Sequence, residues 1–269
     1  MKYCRFMSNG KPQWGLVEES QGELVGELVI VAAMDSPEQD FANVCAIPPL
    51  PLSQAELLAP VQPGKIICVG RNYRDHAKEL GNDVPLEPLL FWKPVSSLLA
   101  PGGVVRMPRA SERVDFEGEI ALVIGKRARW LSADQNLSEY VHGFTLANDV
   151  TARDLQKKDG QWTRAKGFDT FCPVGPLVDT SITLDRVASG ITLETRVNGD
   201  LRQHGSTGDF IFSLPHLLEY ITAAITLEPG DLLLTGTPAG VGPLAAGDRV
   251  EVSAEGLGVL SNPFAPEEN

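Results

Sequence analysis

Three acidic residues in two apolar segments of the chain are candidate ligands for a metal ion. Glu117 and Glu119 lie two positions apart in a predicted strand, and Asp149 ends a second apolar run. Side chains two apart on a strand point to the same face, about 7 Å apart along the backbone. Carboxylates held together against apolar neighbours repel one another, and a bound cation removes that repulsion. An all-oxygen set without His or Cys nearby favours Mg²⁺ or Mn²⁺ over zinc.

A Glu-x-Glu pair on a strand is by itself more typical of the solvated face of a half-buried sheet, because exposed acids are common. The second segment changes this interpretation. Residues 141–149 read Val-His-Gly-Phe-Thr-Leu-Ala-Asn-Asp, so an apolar run ends on Asp149. Binding sites are often built where strands end. The two segments together predict a metal-dependent enzyme that acts on an oxygen-rich anion.

Other residues have types and spacings that suit catalysis or binding. His76 and Glu79 are three apart in a predicted short helix, so both could reach one water molecule, although such pairs are often only solvated. Lys166 lies among aromatic residues and is either a partly desolvated charge or a surface lysine with a packed stem. Thr237 lies in a Gly-rich turn that could bind a carboxylate or be purely structural.

Composition and charge limit the classes of partner. The 269 residues are 43% hydrophobic and 22% charged, with a net charge of -12. This balance argues against nucleic acid and anionic membranes, which both attract basic surfaces. The four cysteines have no CxxC spacing, which favours buried thiols in a reducing compartment. We therefore expect a cytoplasmic enzyme with no membrane partner, whose anionic substrate is bound by locally placed cations.

The elements that must position these residues are mostly strands. Residues 1 to about 47 predict short antiparallel hairpins with turns at 8–10 and 21–23, and a Pro-rich stretch over 48–63 predicts a linker without regular sheet. We thus expect a small N-terminal β-domain plus linker over 1–62 and a catalytic domain over 63–269. Short helices are predicted over 75–80 and 212–225. Strands are predicted near 66–70, 88–92, 104–106, 114–125, 142–148, 174–178, 191–197, 231–235 and 248–254.

Taken together, six segments resemble the fumarylacetoacetate hydrolase family, in its order, over roughly residues 63–260. No segment is specific alone, but the combination is. The segments are Val69-Gly70-Arg71-Asn72-Tyr73-x-x-His76-x-x-Glu79, Lys93-Pro94-x-Ser96-Ser97-Leu98, Asp115-x-Glu117-Gly118-Glu119, Asn148-Asp149-Val150-Thr151-Ala152-Arg153-Asp154-x-Gln156, Arg164-x-Lys166-x-Phe168-Asp169-Thr170-Phe171, and Thr235-Gly236-Thr237-Pro238-x-Gly240-Val241-Gly242.

The resemblance implies an α+β, β-rich fold: a mixed β-sandwich roll, usually a homodimer. It implies Mg²⁺ or Mn²⁺ bound by Glu117, Glu119 and Asp149, with the metal chelated by a small anionic 2-oxo acid substrate. It also implies that His76 and Glu79 activate water from a mobile lid. The remaining positions that would hold the substrate or stabilise its charge are Arg153, Gln156, Lys166 and Thr237.

On this basis the predicted reaction is metal-dependent hydrolysis of a C–C bond in an acylpyruvate-type 2,4-dioxo acid through a pyruvate enolate. The same enolate serves oxaloacetate decarboxylation, and isomerisation of a 2-hydroxymuconate-type or 2-hydroxyhepta-2,4-diene-1,7-dioate substrate needs the same chelated oxyanion. The motifs do not choose among these alternatives. A catalytically idle binding dimer is disfavoured, because all three predicted ligands and the His–Glu pair are present.

Overall fold

The protein has a strand-rich α+β fold of the mixed β-sandwich roll type, as the sequence predicted. A computed structural model describes residues 1–20, 26–37 and 44–267. No helix in these ranges is long and apolar enough to cross a membrane. The predicted turn at 21–23 lies outside the described residues.

Twenty strands are described. In chain order they are β1 Lys2–Ser8, β2 Lys11–Glu19, β3 Leu28–Met34, β4 Cys45–Pro51, β5 Leu57–Leu58, β6 Ile66–Gly70, β7 Leu89–Lys93, β8 Leu98–Leu99, β9 Val105–Met107, β10 Val114–Phe116, β11 Gly118–Ile124, β12 Val141–Asn148, β13 Thr151–Ala152, β14 Cys172–Asp179, β15 Thr192–Val197, β16 Asp200–Ser206, β17 Leu232–Leu234, β18 Gly242–Pro243, β19 Arg249–Ala254 and β20 Gly258–Pro266. The α-helices are α1 Arg74–Glu79, α2 Arg153–Asp159, α3 Thr163–Gly167, α4 Leu184–Ala188 and α5 Leu214–Ala224.

The strands form three sheets, and their buried apolar side chains form two clusters. The largest has the order β4-β3-β2-β1-β14-β12-β11-β17-β6-β7, with β5 and β8 at its margins. A second sheet has the order β16-β15-β19-β20-β9, and a small one the order β13-β10-β18. The central strand β11 is buried along its whole length, as expected for an apolar run covered on both faces. Leu122 on one face packs in a cluster with Leu193 and Val252 of the second sheet, and Ala121 faces a second cluster.

The N-terminal strands continue the largest sheet. β1 and β2 form a hairpin at the predicted turn, in which Asn9 and Gly10 both have positive φ. β1 also pairs with β14, so the sheet crosses the predicted domain division at residue 62, which stays a prediction. The expectation that 48–63 contains no regular sheet is wrong, because β4 pairs with β3. Pro48 and Pro49 are tolerated there since β4 is an edge strand with an irregular register.

The predicted strand over 114–125 is interrupted at Glu117. β10 ends at Phe116 and pairs with β13 and β18, whereas β11 begins at Gly118 and pairs with β12 and β17. The chain therefore passes from the small sheet to the largest sheet at the metal-ligand candidate itself. Gly118 allows this passage, because a Cβ there would lie 2.1 Å from the Thr195 hydroxyl oxygen. Glu117 and Glu119 are thus placed by two sheets rather than by one strand.

The helices agree with the sequence where their apolar period is clear. The predicted helix over 212–225 is α5, and the Ser213 side chain accepts a hydrogen bond from the His216 amide at its start. The predicted helix over 75–80 is α1, shifted by one residue. α2 and α3 were not predicted because each is short and has only one buried apolar side chain. They carry Arg153, Gln156 and Lys166.

Candidate metal centre and active site

The three predicted metal ligands converge in the interior of the protein. Glu117, Glu119 and Asp149 are 4%, 2% and 1% exposed. One carboxylate oxygen from each lies within 4.8 Å of the others. Three carboxylates gathered this closely in a buried place require compensating positive charge.

Backbone contacts fix the cluster. The Asp149 amide donates to the Glu117 carbonyl at 2.8 Å, and the Glu117 amide donates to the Asn148 side-chain oxygen at 2.9 Å. The Glu119 carboxylate accepts a hydrogen bond from the Gly236 amide at 2.6 Å. The ends of β10, β12 and β17 therefore hold the three acids in place.

Buried cations surround the carboxylates. The Lys166 ammonium group lies 2.8 Å from Glu117 Oε2 and 2.5 Å from Asp149 Oδ2. Lys93, itself 1% exposed, donates to Asp149 Oδ1 at 2.6 Å. The Arg153 guanidinium group pairs with Glu117 Oε1. Glu117 and Asp149 therefore each contact two positive groups, whereas Glu119 forms no ion pair with any described residue.

This arrangement separates the pKa values of the two glutamates. Burial alone would raise the pKa of Glu117, but the charges of Lys166 and Arg153 outweigh burial and hold it well below its usual range. Burial, together with the charges of Asp149 and Glu117, raises the pKa of Glu119 well above its usual value. Burial opposes the charged form of Lys166, but the facing carboxylates raise its pKa. Glu119 is thus the carboxylate that most needs a further cation.

The donor set fits a hard divalent ion. All three groups offer carboxylate oxygens, which Mg²⁺ and Mn²⁺ prefer. An ionised carboxylate has about four lone-pair sites, so oxygens that already accept from lysine or arginine keep capacity for a metal. Glu119 Oε1 accepts no hydrogen bond from the described residues. The cluster therefore fits Mg²⁺ or Mn²⁺, and its chemistry does not distinguish between them.

The predicted His–Glu pair lies on the same cavity. His76 is 4% exposed, and its Nδ1 lies 3.3 Å from Glu79 Oε2. Glu79 also accepts from the Gly240 amide at 3.0 Å, which links α1 to the Gly-rich turn. Burial lowers the pKa of His76 despite the opposing charges of Glu117 and Glu79. A neutral imidazole whose Nδ1–H donates to Glu79 leaves Nε2 free to accept a proton.

The three residues predicted to hold substrate have internal partners. Arg153 donates to Gln156 Oε1 at 2.7 Å as well as pairing with Asp115 and Glu117. The Thr237 hydroxyl donates to the Gly118 carbonyl at 2.8 Å and accepts from Gln203 at 2.7 Å. These contacts position the metal-ligand candidates, and the substrate-binding roles stay predictions.

One cavity of about 500 Å³ brings all nine predicted site residues together. They are His76, Glu79, Glu117, Glu119, Asp149, Arg153, Gln156, Lys166 and Thr237. Residues between Val69 and Val241 thus line one cavity.

Sequence reasoning did not assign a role to Lys93, Asp115 or Gln203. Lys93 ends the apolar strand β7, and a lysine at a buried position of such a strand is a signal for a buried ion pair. Asp115 pairs with both Arg113 and Arg153, and it precedes Glu117 by two residues. Gln203 donates to Thr237 from a distant strand, and no local pattern marks it.

Comparison with known proteins identifies the family of this chain. Residues 65–265 match the family described as Fumarylacetoacetate (FAA) hydrolase C-terminal, and residues 1–60 match Rv2993c-like, N-terminal. The chain belongs to the fumarylacetoacetate hydrolase family. Members of this family include oxaloacetate tautomerases and hydroxymuconate-type isomerases.

Particular relatives are similar over most of their length. Oxaloacetate tautomerase YisK of Bacillus subtilis is 42% identical over 223 residues, which cover 78% of this chain and 73% of the relative. The structure of a 5-carboxymethyl-2-hydroxymuconate delta-isomerase from Mycobacterium smegmatis is 38% identical, with a TM-score of 0.85 and full coverage of both chains. That of a 2-hydroxyhepta-2,4-diene-1,7-dioate isomerase from Mycobacterium marinum is 39% identical, with a TM-score of 0.84 and the same coverage.

Proposed function

We propose that this family member is a metal-dependent enzyme that stabilises the enolate of a 2-oxo acid. Its first candidate reaction is interconversion of the keto and enol forms by proton transfer. The observation that carries this proposal is one cavity lined by both the carboxylate cluster and a buried His76 paired with Glu79. An enolate needs positive charge at its oxygen, and its formation needs a base at the adjacent carbon.

The chain's own groups supply most of what the enolate needs. Glu117, Glu119 and Asp149 would hold a Mg²⁺ or Mn²⁺ ion, which as a Lewis acid stabilises negative charge on a chelating oxygen. The Lys166 ammonium group bridges two of these carboxylates and adds a further positive donor at the same place. Because Lys166 is 2% exposed, water screens its charge little.

His76 would move the proton. Its Nε2 lone pair takes the proton from the carbon next to the oxo group, and the electron pair of that C–H bond becomes the enolate. Return of the proton to the oxygen gives the enol, and return to carbon regenerates the keto acid. Glu79 stabilises the charged imidazole during this transfer. The Gly240 amide fixes Glu79 in turn.

Similarity to known tautomerases and isomerases supports a proton-transfer reaction. One relative is an oxaloacetate tautomerase, and two similar structures are isomerases of hydroxymuconate-type and hydroxyheptadienedioate-type acids. Tautomerisation and isomerisation both relocate a proton within the substrate. Both therefore need only the base and the enolate-stabilising charges described above.

C–C hydrolysis of an acylpyruvate-type 2,4-dioxo acid is the second candidate. The observation that favours it is again the His76–Glu79 pair, because a base that accepts a proton from carbon can also accept one from water. The activated water would attack the 4-carbonyl, and cleavage of the C3–C4 bond would leave pyruvate enolate. Oxaloacetate decarboxylation reaches the same enolate without a base and is a further alternative.

The test compares the wild type with His76→Gln on one metal-loaded preparation of each protein. Conversion of enol-oxaloacetate is followed by ultraviolet absorbance against a blank with metal alone, and acylpyruvate hydrolysis and oxaloacetate decarboxylation are measured in parallel. We expect His76→Gln to slow tautomerisation by about 10²–10⁴, the usual range for a general base. The matched control is His216→Gln, since His216 is exposed on α5 outside the cavity.

The outcomes separate the candidates. Decarboxylation that persists in His76→Gln while tautomerisation falls supports the assigned role of His76. Hydrolysis without tautomerisation in the wild type would establish the second candidate instead. No acceleration of any of the three reactions over the metal-only blank would overturn the proposal.

A further inference from the structure

One cation of the cavity, Arg71, has no carboxylate partner among the described residues and is nevertheless held in place. Arg71 lines the cavity, is half-buried, and forms no ion pair with any residue in the described ranges. Its Nε is buried without a hydrogen-bond partner among those residues. The neighbouring cavity cations Arg113, Arg153 and Lys166 each pair with a buried carboxylate. A buried guanidinium nitrogen without an acceptor is costly unless a ligand supplies one.

The backbone of Arg71 is in a conformation that favours glycine. Its φ is 57°, a left-handed value that non-glycine residues rarely adopt. Asn72 fixes this turn, because its side chain accepts from the Phe212 amide at 2.8 Å and donates to the Thr235 carbonyl at 2.8 Å. A glycine at position 71 would form the same turn more readily. An arginine held there by its surroundings is typical of residues whose side chain has a function.

Aromatic rings fix the direction of the Arg71 side chain. Its guanidinium carbon lies 6.0 Å from the centroid of the Trp162 ring, within the range of a cation–π contact. Trp162 packs edge-on against Phe91 with 5.2 Å between centroids, and the Lys166 ammonium lies 4.9 Å from the Phe91 centroid. The Trp162 ring packs against Gly70, where there is no room for a side chain, because a Cβ at that position would lie 2.8 Å from the ring. Two rings therefore separate Arg71 from the cation at the carboxylate cluster.

We propose that Arg71 binds a second, distal carboxylate of the substrate and so selects dicarboxylic 2-oxo acids over those with a neutral tail. This inference rests on the proposed function, in which the 2-oxo acid end lies at Glu117, Glu119 and Asp149. The planar guanidinium group forms two parallel hydrogen bonds to a carboxylate, which satisfies the unpartnered Nε. The apolar wall of Phe91 and Trp162 suits the methylene groups between the two ends.

A general positive potential in the cavity is the competing explanation for a preference for dicarboxylic ligands. Lys157 also lines the cavity and forms no ion pair with any described residue, but it is exposed on α2. If the substrate responded only to net charge, loss of Lys157 and loss of Arg71 would have similar effects. If Arg71 forms a specific contact, only its loss should remove the preference for a dicarboxylate.

The experiment measures calorimetric affinities in Mg²⁺ for ligand pairs that differ only at the far end. The pairs are 2-oxoglutarate with 2-oxopentanoate, and 2-oxoadipate with 2-oxohexanoate; oxalate represents the chelating end alone. The variants are Arg71→Asn, which suits the left-handed backbone, Arg71→Lys, which keeps the charge without the planar group, and Lys157→Gln as the matched control. Melting temperatures establish that each variant is folded.

We expect the wild type to prefer the dicarboxylate of at least one pair. Arg71→Asn should reduce that preference by about tenfold to a hundredfold, as for loss of hydrogen bonds to a charged group. Arg71→Lys should keep part of it, Lys157→Gln should keep nearly all of it, and oxalate affinity should change little in any variant. Equal preferences in wild type and Arg71→Asn, or no preference in the wild type at either length, would overturn the inference. Failure of the wild type to bind oxalate would instead contradict the proposed function.

Discussion

Replacing Lys166 with Met tests whether the carboxylate cluster is a cation site. Lys166 is 2% exposed and contacts Glu117 at 2.8 Å and Asp149 at 2.5 Å. Methionine has a similar length and suits the adjacent Phe91 ring, so the change removes the charge with little change of volume. It leaves two buried carboxylates, Glu117 and Asp149, with less positive charge nearby to balance their negative charge.

The expected loss of stability is large in the absence of metal. Removing one partner of a buried ion pair typically lowers the free energy of unfolding by about 3–5 kcal/mol. At about 2 °C per kcal/mol for a chain of this size, the melting temperature in EDTA should fall by roughly 6–10 °C. The matched control is Lys126→Met, because the exposed Lys126–Glu139 pair at 3.5 Å should contribute less than about 1 kcal/mol.

Divalent metal should reverse part of this loss. With Lys166 gone, an ion at the cluster meets less positive repulsion, so Mg²⁺ should bind the variant at least about tenfold more tightly than the wild type. Tenfold tighter binding adds about 1.4 kcal/mol of stabilisation at saturating metal, or roughly 3 °C in melting temperature. The measurement is a pair of thermal melts, in EDTA and in excess Mg²⁺, for wild type and both variants. An equal Mg²⁺ shift in wild type and Lys166→Met would refute the reasoning.

The destabilisation should also depend on pH. Burial opposes ionisation of Glu117, but the charges of Lys166 and Arg153 lower its pKa from an ordinary value of 4.5. A carboxylate whose pKa is lowered by folding contributes stability above its unfolded-state pKa, and this stability is lost as pH falls towards the folded-state value. The stability difference between wild type and Lys166→Met should therefore be full at pH 7 and decrease below about pH 4.5. A difference that grows on acidification would contradict this assignment.

Two further predictions concern the metal and the lid. Mg²⁺ or Mn²⁺ binding should release protons and weaken as pH falls, because binding requires ionised Glu119, whose pKa burial and neighbouring acids raise. Calorimetry in buffers of different ionisation enthalpy measures the release; Asp149→Ala should abolish binding, and wild-type affinity in that variant would contradict the ligand assignment. Amide exchange over residues 71–83 should slow when oxalate and Mg²⁺ are added, most strongly at the Glu79 end of α1, which rests on the Gly240 amide. Unchanged protection would count against lid closure.

The sequence predicted the fold and the cluster because the relevant signals are local or follow the order of motifs. Apolar runs predicted β6, β11, β12 and β14 to within a few residues, since buried strands read as continuous apolar segments. The pairing of β1 with β14 could not be predicted, because register between distant strands depends on the assembled core. The break at Glu117 was missed for the same reason, as it depends on the close approach of Thr195 to Gly118.

Partners within the site were less predictable than the residues themselves. Arg153 and Thr237 were predicted from the family resemblance to hold substrate, yet their hydrogen bonds go to Glu117 and to the Gly118 carbonyl. Lys93 belongs to a quoted motif, but its contact with Asp149 joins residues 56 positions apart. Residue types thus predicted where the site is, and only the three-dimensional contacts distinguish a group that contacts a carboxylate from one that is open to the cavity.

The charges around the cavity explain why such a site favours an enolate over a keto acid. Four carboxylates and four cations lie together here. Ion pairs join three of the carboxylates to the cations, and the fourth carboxylate, Glu119, belongs to the cluster of metal-ligand candidates. The net charge of these eight groups is therefore close to zero when all are ionised. The acids are Asp115, Glu117, Glu119 and Asp149, and the bases are Lys93, Arg113, Arg153 and Lys166. A bound divalent ion would then leave an excess of two positive charges at the cluster.

A keto acid with one carboxylate neutralises half of that excess, whereas its enolate, with a second negative oxygen, neutralises all of it. The site therefore interacts more strongly with the state that forms during the reaction than with the substrate that enters, which is the condition for catalysis. Lys166 and Lys93 contribute to this preference although they also reduce the affinity for the metal itself. The same charge excess implies that metal and a dianionic ligand each bind more tightly in the presence of the other.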